Sequence, residues 1–131
     1  MLEDLLKELG QRIGVPLALG ADRTCMVGLG DGAPVHIVAL DDPNACVVVG
    51  SCGSVPEVGR TAYLRRLLEA NFFHRGTGGA VLGWEPSIDE AMLVQRLRLD
   101  VIDGQGFADA ITAFVAYQER WNRRAAEAIA A

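Results

Sequence analysis

Apolar residues recur at helical spacing near both ends of the chain. Leucines at positions 2, 5, 6 and 9 share one face of a predicted helix over residues 2–13, with charged side chains opposite. Gly14 and Pro16 end this helix, because proline cannot continue it. Residues 107–121 repeat the pattern at steps of three and four. Each end of the chain therefore contributes a helix with one face to bury.

Strand-like segments fill much of the region between these helices. Three follow the first helix, at residues 24–29, 33–40 and 45–50, and turns rich in glycine and aspartate separate them. An antiparallel meander is the simplest arrangement for three consecutive strands with short connections. The third segment is apolar without alternation, which predicts a strand that is central in the sheet or covered on both faces. Further strands are predicted at residues 80–85 and 88–99.

A second helix is predicted between these groups of strands. Leu64, Leu67, Leu68 and Phe72 recur at helical spacing, and the helix is expected to break at Gly76. Glycines at positions 76, 78 and 79 allow the next strand to leave at a sharp angle. The predicted order is helix, three strands, helix, two strands, helix, in a single domain spanning residues 1–131.

Composition narrows the choice of partners. Twelve basic and seventeen acidic side chains give a net charge of −5, which disfavours nucleic acid and anionic membranes as partners. The acidic N-terminus does not look like a secretory signal, and no apolar run approaches membrane-spanning length. The chain is therefore expected to be cytosolic, with no membrane partner.

The sequence offers few candidate catalytic or ligand-binding residues. Cys25, Cys46 and Cys52 form neither a Cys-x-x-Cys motif nor a zinc pattern with His36 and His74. Cysteines in strands are commonly small core residues. The glycine-rich segments lack the lysine and hydroxyl residue of a phosphate loop, so we predict no metal and no cofactor. A small thiol-dependent enzyme, using a cysteine with His36 or His74, is the alternative from another class.

Two further features concern the surface. Arginine pairs at residues 65–66 and 123–124 are most simply helix-surface charges. Three amphipathic helices, with strands apolar on both faces, offer more apolar area than a monomer of this size hides easily. This excess, without a catalytic constellation, favours a binding protein over an enzyme.

Six short motifs follow one another along the chain. They are Ile-Gly-Val-Pro-Leu at residues 13–17, Cys-Gly-Ser-Val-Pro at 52–56, Leu-Glu-Ala-Asn-Phe at 68–72, Gly-Gly-Ala-Val-Leu-Gly at 78–83, Arg-Leu-Arg-Leu at 96–99, and the closing helix with Phe107, Phe114 and Trp121. In their order and spacing these motifs resemble the class I type III secretion chaperones, the Tir-chaperone-like (CesT-like) family. The resemblance covers nearly the whole chain.

The resemblance implies an α+β fold, α-β-β-β-α-β-β-α, in which a twisted antiparallel sheet carries packed helices, and a homodimer. It implies an ATP-independent chaperone in a bacterial cytoplasm, holding the N-terminal region of a secreted effector in extended form and keeping it soluble. Docking on the secretion ATPase is a further expectation from the resemblance. The alternative within the binding class is a protein of the same fold that regulates type III gene expression by capturing a regulator.

The resemblance also assigns residues by position. The second helix and the strand after it are expected to form the dimer contact, through Leu64, Leu67, Leu68, Phe72, Val81, Leu82 and Trp84. The first helix, the segment after it and the first strand are expected to line the effector groove, through Leu5, Leu9, Ile13, Leu17 and Met26.

Overall fold

A computed structural model describes residues 1–30 and 32–130, with side-chain environments through residue 126. In chain order the elements are α1 (Leu2–Ile13), β1 (Thr24–Val27), β2 (Val35–Ala39), β3 (Ala45–Ser54), α2 (Arg60–Asn71), a 3-10 turn (Phe72–His74), β4 (Val81–Glu85), β5 (Glu90–Arg98) and α3 (Gly104–Ala130). The predicted order of elements and the α+β class are confirmed.

The five strands form one antiparallel sheet in the order β1-β2-β3-β5-β4. The meander β1 to β3 is as predicted, and β5 pairs with the other side of β3, which makes β3 the central strand. Because β1 and β4 each have one strand neighbour, they form the two edges of the sheet.

The core lies between one face of the sheet and the helices. Strand residues such as Ile37, Val48 and Leu93 are fully buried there. The apolar faces of α1 and α3 cover them, with side chains that include Leu6, Leu9, Phe107, Ile111 and Phe114. Gln118 of α3 ties this helix to the sheet, since its Nε2 donates to the backbone oxygen of Ser51 at 3.0 Å.

The chain reverses sharply after α1. Gly14 caps the helix in the left-handed conformation (φ 77°), and the Val15 backbone N–H donates to Gly10 O at 3.0 Å. A Cβ on Gly10 would lie 2.5 Å from Val15 O, so only glycine permits the segment to pack this closely. The reversal sends residues 15–19 back along α1 toward β1.

Helix α2 ends earlier than the sequence pattern predicts, at Asn71 and not at Gly76. Phe73 and His74 follow with positive φ angles of 54° and 53°, which residues with a Cβ seldom adopt. The Asn71 side chain stabilises this early end, because it accepts from Leu82 N and donates to Leu82 O, both at 2.8 Å. The end of α2 is thus attached to β4.

The second face of the sheet is open. Strand β3 is central, as predicted, and the helices cover one of its faces, since its side chains alternate between buried and half-buried along most of its length. In β2, Val35 and Ile37 are buried whereas His36 is exposed. The open face therefore remains available for contacts outside the chain.

Candidate protein-binding surfaces

Large apolar side chains are exposed on α2, on the 3-10 turn and on the edge strand β4. We call this the α2–β4 surface, defined by Leu68, Phe72, Phe73, Val81 and Trp84, which are 71, 60, 78, 50 and 46% exposed. Monomeric proteins seldom leave such a group of side chains in water, so the surface is a candidate interface.

The dimer candidates from the sequence divide into two groups. Leu68, Phe72, Val81 and Trp84 lie on the α2–β4 surface, and Leu64 is half-buried beside the core. Leu67 and Leu82 are each only 4% exposed, because they point inward to the chain's own core. Leu67 and Leu82 pack beneath the α2–β4 surface and expose little area that a partner protein could contact.

Polar contacts hold Trp84 in place at the end of β4. Its indole Nε1 donates to Asp89 Oδ1 at 2.9 Å, and the Arg60 guanidinium lies 5.3 Å from its ring centroid. Arg60 also pairs with Asp89 and donates to Oδ2 at 3.0 Å. These hydrogen bonds, chiefly the one from Arg60, keep the pKa of Asp89 below its usual value. The ring is thereby fixed in its exposed position.

Phe73 is the residue of this surface that sequence reasoning missed. A helix continuing to Gly76 would place Phe72 and Phe73 on different faces. The break at Asn71 instead brings the two rings together, with centroids 4.6 Å apart. The only sequence signal is their adjacency after Asn71, a residue that often ends helices.

A second candidate surface lies around the end of α1 and on β1. We call it the α1–β1 surface, defined by Ile13, Val15, Leu17 and Met26. Met26 is 63% exposed and Val15 52%, while Ile13 and Leu17 are half-buried. A groove of about 360 Å³ runs along its α1 side, lined by Lys7, Gly10, Gln11, Gly14, Val15, Pro16 and Leu17.

Two of the effector-groove candidates lie elsewhere. Leu5 and Leu9 are 8 and 3% exposed, because they sit on the face of α1 that packs into the core. They stabilise the helix that carries the groove and present almost no surface themselves. Ile13, Leu17 and Met26 are the candidates that remain accessible.

The open face of the sheet connects the two surfaces. Strand register places one side chain from each strand in a single row, Met26, His36, Val49, Val94 and Val81. The row begins on the α1–β1 surface and ends on the α2–β4 surface, and its members are exposed or half-buried. It offers a mostly apolar track about 20 Å long, since neighbouring strands lie about 4.8 Å apart.

The sequence profile of the Tir chaperone protein (CesT) family matches residues 4–122. The chain belongs to this family. It is a family of chaperones and not of enzymes. A comparison with curated protein sequences gives no match.

Solved structures share the fold at low sequence identity. The ExsC–ExsE complex matches with a TM-score of 0.80 at 18% identity, over 95% of this chain and 92% of that one. The HopA1–SchA chaperone–effector complex gives 0.76 at 12%, over 93% of each chain. The heterodimeric ExoU–SpcU complex from the type III secretion system of Pseudomonas aeruginosa gives 0.70 at 19%, over 98% and 97%. The Tir chaperone fold thus extends over nearly the whole chain.

The cysteines of this Tir chaperone family member are in surroundings that suit packing. All three are buried, and burial raises the pKa of Cys46 to about 11 and of Cys52 to about 12. Burial also raises the pKa of Cys25. Reactive cysteines need the thiolate form near neutral pH, which these environments oppose. Among the described residues, no group of three or more His, Cys, Asp or Glu side chains could hold a metal ion.

The buried thiols predict a loss of stability at alkaline pH. The folded state favours the neutral thiol, so the stabilisation is complete below the ordinary pKa of 9.0 and is lost as pH rises through about 11 to 12. Each thiol should lower the free energy of unfolding by up to about 1.4 kcal/mol per pH unit in that window. Urea unfolding at pH 7.5 and pH 10.5 measures the loss.

The control for this prediction is a Cys46→Ala/Cys52→Ala variant, which lacks both thiols. Its stability should fall less between the two pH values than that of the parent chain. An identical fall would show that other groups, such as Tyr63, account for the alkaline sensitivity.

Within residues 1–30 and 32–130, no helix is both long and apolar enough to span a membrane.

Proposed function

We propose that this chain is a homodimeric, ATP-independent chaperone of type III secretion. It binds the N-terminal region of a secreted effector in extended form and keeps it soluble and secretion-competent in a bacterial cytoplasm. The observation that carries the proposal is the match of the Tir chaperone family to residues 4–122. The similar folds in chaperone–effector complexes support it. Docking on the secretion ATPase remains an expectation from the family resemblance.

The α2–β4 surface is the proposed dimer contact. A twofold interface pairs one patch with the same patch of a second copy, so one apolar surface per chain suffices. Burying a side chain such as Leu68 or Phe72 contributes about 1.5–3 kcal/mol relative to leaving it in water. Several such side chains on each copy supply enough apolar burial for a stable pair. Trp84, held by Asp89 and Arg60, adds a fixed aromatic anchor.

The α1–β1 surface is the proposed effector site. Strand β1 is an edge strand, so an extended segment can add to the sheet by main-chain hydrogen bonds. Alternate side chains of that segment would then meet Met26 on the open face and the groove beside Ile13 and Leu17. The row from Met26 to Val81 provides a further track along which an extended chain can continue toward the dimer contact.

The proposal is tested first by absolute mass. Light scattering of the protein purified from its own bacterium, with mass spectrometry of any passenger, should give two copies of this chain with one larger secreted protein, retained without nucleotide. A clean monomer without a passenger would count against the chaperone function. A dimer holding a transcription regulator instead would favour the regulatory alternative.

An Ile13→Asp change should weaken effector binding without dissociating the dimer. Ile13 is half-buried at the end of α1, and a carboxylate there would be desolvated by an apolar segment in the groove. We expect the Kd for the purified effector fragment to rise roughly tenfold or more, which is about 1.4 kcal/mol. Titration calorimetry measures the affinity, and light scattering the mass.

The matched control is Ala113→Asp, which adds the same charge at an exposed position of α3. Its affinity should equal that of the parent chain. If Ile13→Asp binds as tightly as this control, the groove lies elsewhere on the chain. If it dissociates the dimer, the α1–β1 surface belongs to the dimer contact.

A further inference from the structure

The eleven arginines of the chain differ in their surroundings. Arg12, Arg23, Arg60, Arg96 and Arg98 each lie within ion-pair distance of a carboxylate. Arg66, Arg75 and Arg124 instead converge on one cleft of about 470 Å³, and none of them pairs with a described carboxylate. Such a cluster is unexpected in a protein of net charge −5, because its acidic side chains outnumber its basic ones, 17 to 12.

Aromatic rings, and not carboxylates, hold two of these guanidinium groups. Arg124 lies 4.5 Å from the ring centroid of Trp121, and Arg75 lies 5.4 Å from that of Phe72. Among the described side chains, neither arginine donates a hydrogen bond. A ring contact positions a guanidinium while leaving its N–H donors free for another acceptor.

The cleft has a rigid base. Trp121 is 1% exposed, and its indole Nε1 donates to Gly76 O at 3.0 Å. The turn at Gly76 packs closely on α2, since a Cβ there would lie 2.8 Å from the Cβ of Ala70. Among the residues whose side chains are described, Glu69 is the one carboxylate that lines the cleft, against three guanidinium groups. A local excess of positive charge therefore surrounds a fixed indole.

The cleft lies apart from the apolar α2–β4 surface. Arg66 is two residues from both Leu64 and Leu68, and two residues turn an α-helix by about 200°. Arg66, which lines the cleft, and Leu68, which belongs to the α2–β4 surface, therefore lie on opposite sides of α2. Phe72 is the residue between them, because its ring belongs to the apolar surface and also contacts Arg75.

We propose that this cleft binds the side-chain carboxylates of an acidic peptide segment from a partner protein. Guanidinium groups bind carboxylates through paired, charge-assisted hydrogen bonds, and Arg75 and Arg124 can supply these because their N–H donors have no acceptor among the described side chains. A short acidic segment needs only this local positive charge. A nucleic acid would extend beyond the cleft over a protein of net negative charge, which opposes its binding. The proposal goes beyond effector binding at the α1–β1 surface and does not depend on it.

Indole resonances of the ¹⁵N-labelled full chain provide the test. The chain has two tryptophans, and a Trp84→Phe variant assigns the signal of Trp121. A terminally blocked octaglutamate peptide is the probe. We expect a saturable shift of the Trp121 signal that weakens as salt is added. The Arg75→Gln/Arg124→Gln variant should bind at least roughly tenfold more weakly, whereas Arg96→Gln, which removes an arginine paired with Asp42, should bind as the parent does.

Three results would overturn the proposal. These are equal binding of the matched octaglutamine peptide, unchanged affinity in the double variant, and tighter binding of a thymidine octanucleotide than of octaglutamate. All three arginines are exposed, so the variants should fold, and circular dichroism checks this. Should the double variant fail to fold, Arg66→Gln alone must still weaken octaglutamate binding for the proposal to stand.

Discussion

A Leu68→Asp variant is expected to be a monomer at concentrations where the parent chain forms the proposed dimer. Leu68 is 71% exposed in the isolated chain and is a member of the α2–β4 surface. In the proposed dimer a carboxylate at this position would be buried against the apolar patch of the second copy without a partner charge, which costs several kcal/mol. The expected loss is at least a hundredfold in dimer affinity, or about 2.7 kcal/mol. Light scattering across a dilution series measures it.

The matched control is Val101→Asp, since Val101 is 65% exposed outside both candidate surfaces. It introduces the same charge in place of an exposed apolar side chain and should leave the dimer intact. Because Leu68 contributes little to the chain's own core, the variant should remain folded by circular dichroism. A Leu68→Asp protein that is still a stable dimer would remove α2 from the interface.

Sequence periodicity predicted the elements well but could not sort their faces. Leu64, Leu67 and Leu68 recur at helical spacing, which places them near one another without saying which is buried. Tyr63 and Ala70 pack into the core, so the inward side of α2 includes Leu67 and leaves Leu68 in water. That choice depends on where the sheet lies relative to the helix, which is a tertiary contact that no local pattern contains.

The end of α2 at Asn71 could not be predicted from the local sequence for a similar reason. Glycines at 76, 78 and 79 mark an obvious break, whereas positive φ angles at Phe73 and His74 run against local preference. Hydrogen bonds between Asn71 and Leu82, eleven residues later, help to maintain this conformation. A long-range contact therefore overrides the local preference, and it creates the exposed phenylalanine pair.

The cleft with Arg66, Arg75 and Arg124 forms only when the helices pack together, so no single helix pattern predicts it. Arg66 on α2 and Arg124 on α3 both look like ordinary surface charges when each helix is considered alone. They meet because Trp121 packs against the turn that follows α2 and brings Arg75 to the same place. Sequence reasoning predicted Trp121 on the apolar face of α3, but not the charges collected around it.

A Trp121→Ala variant is expected to lose about 3–5 kcal/mol of unfolding free energy, the usual cost of truncating a buried aromatic side chain. Trp121 packs edge-on against Tyr63 of α2, with ring centroids 6.5 Å apart, and its indole N–H donates a hydrogen bond to the backbone oxygen of Gly76. It thereby joins α3 to α2 and to the segment leading into β4. For a domain whose total stability is typically about 5–15 kcal/mol, this loss brings the chain near unfolding. Urea titration followed by circular dichroism measures it.

Two comparisons separate the packing of Trp121 from the mere loss of a large side chain. Trp84→Ala removes the same group from a position that is 46% exposed and should cost the single chain clearly less. Trp121→Phe keeps most of the buried volume but loses the hydrogen bond to Gly76, so its stability should fall between the parent and Trp121→Ala. Because the 3-10 turn with Phe72 and Phe73 leads directly into Gly76, Trp121→Ala should weaken the proposed dimer as well. Equal costs for the two alanine variants would mean that Trp121 does not hold these elements together.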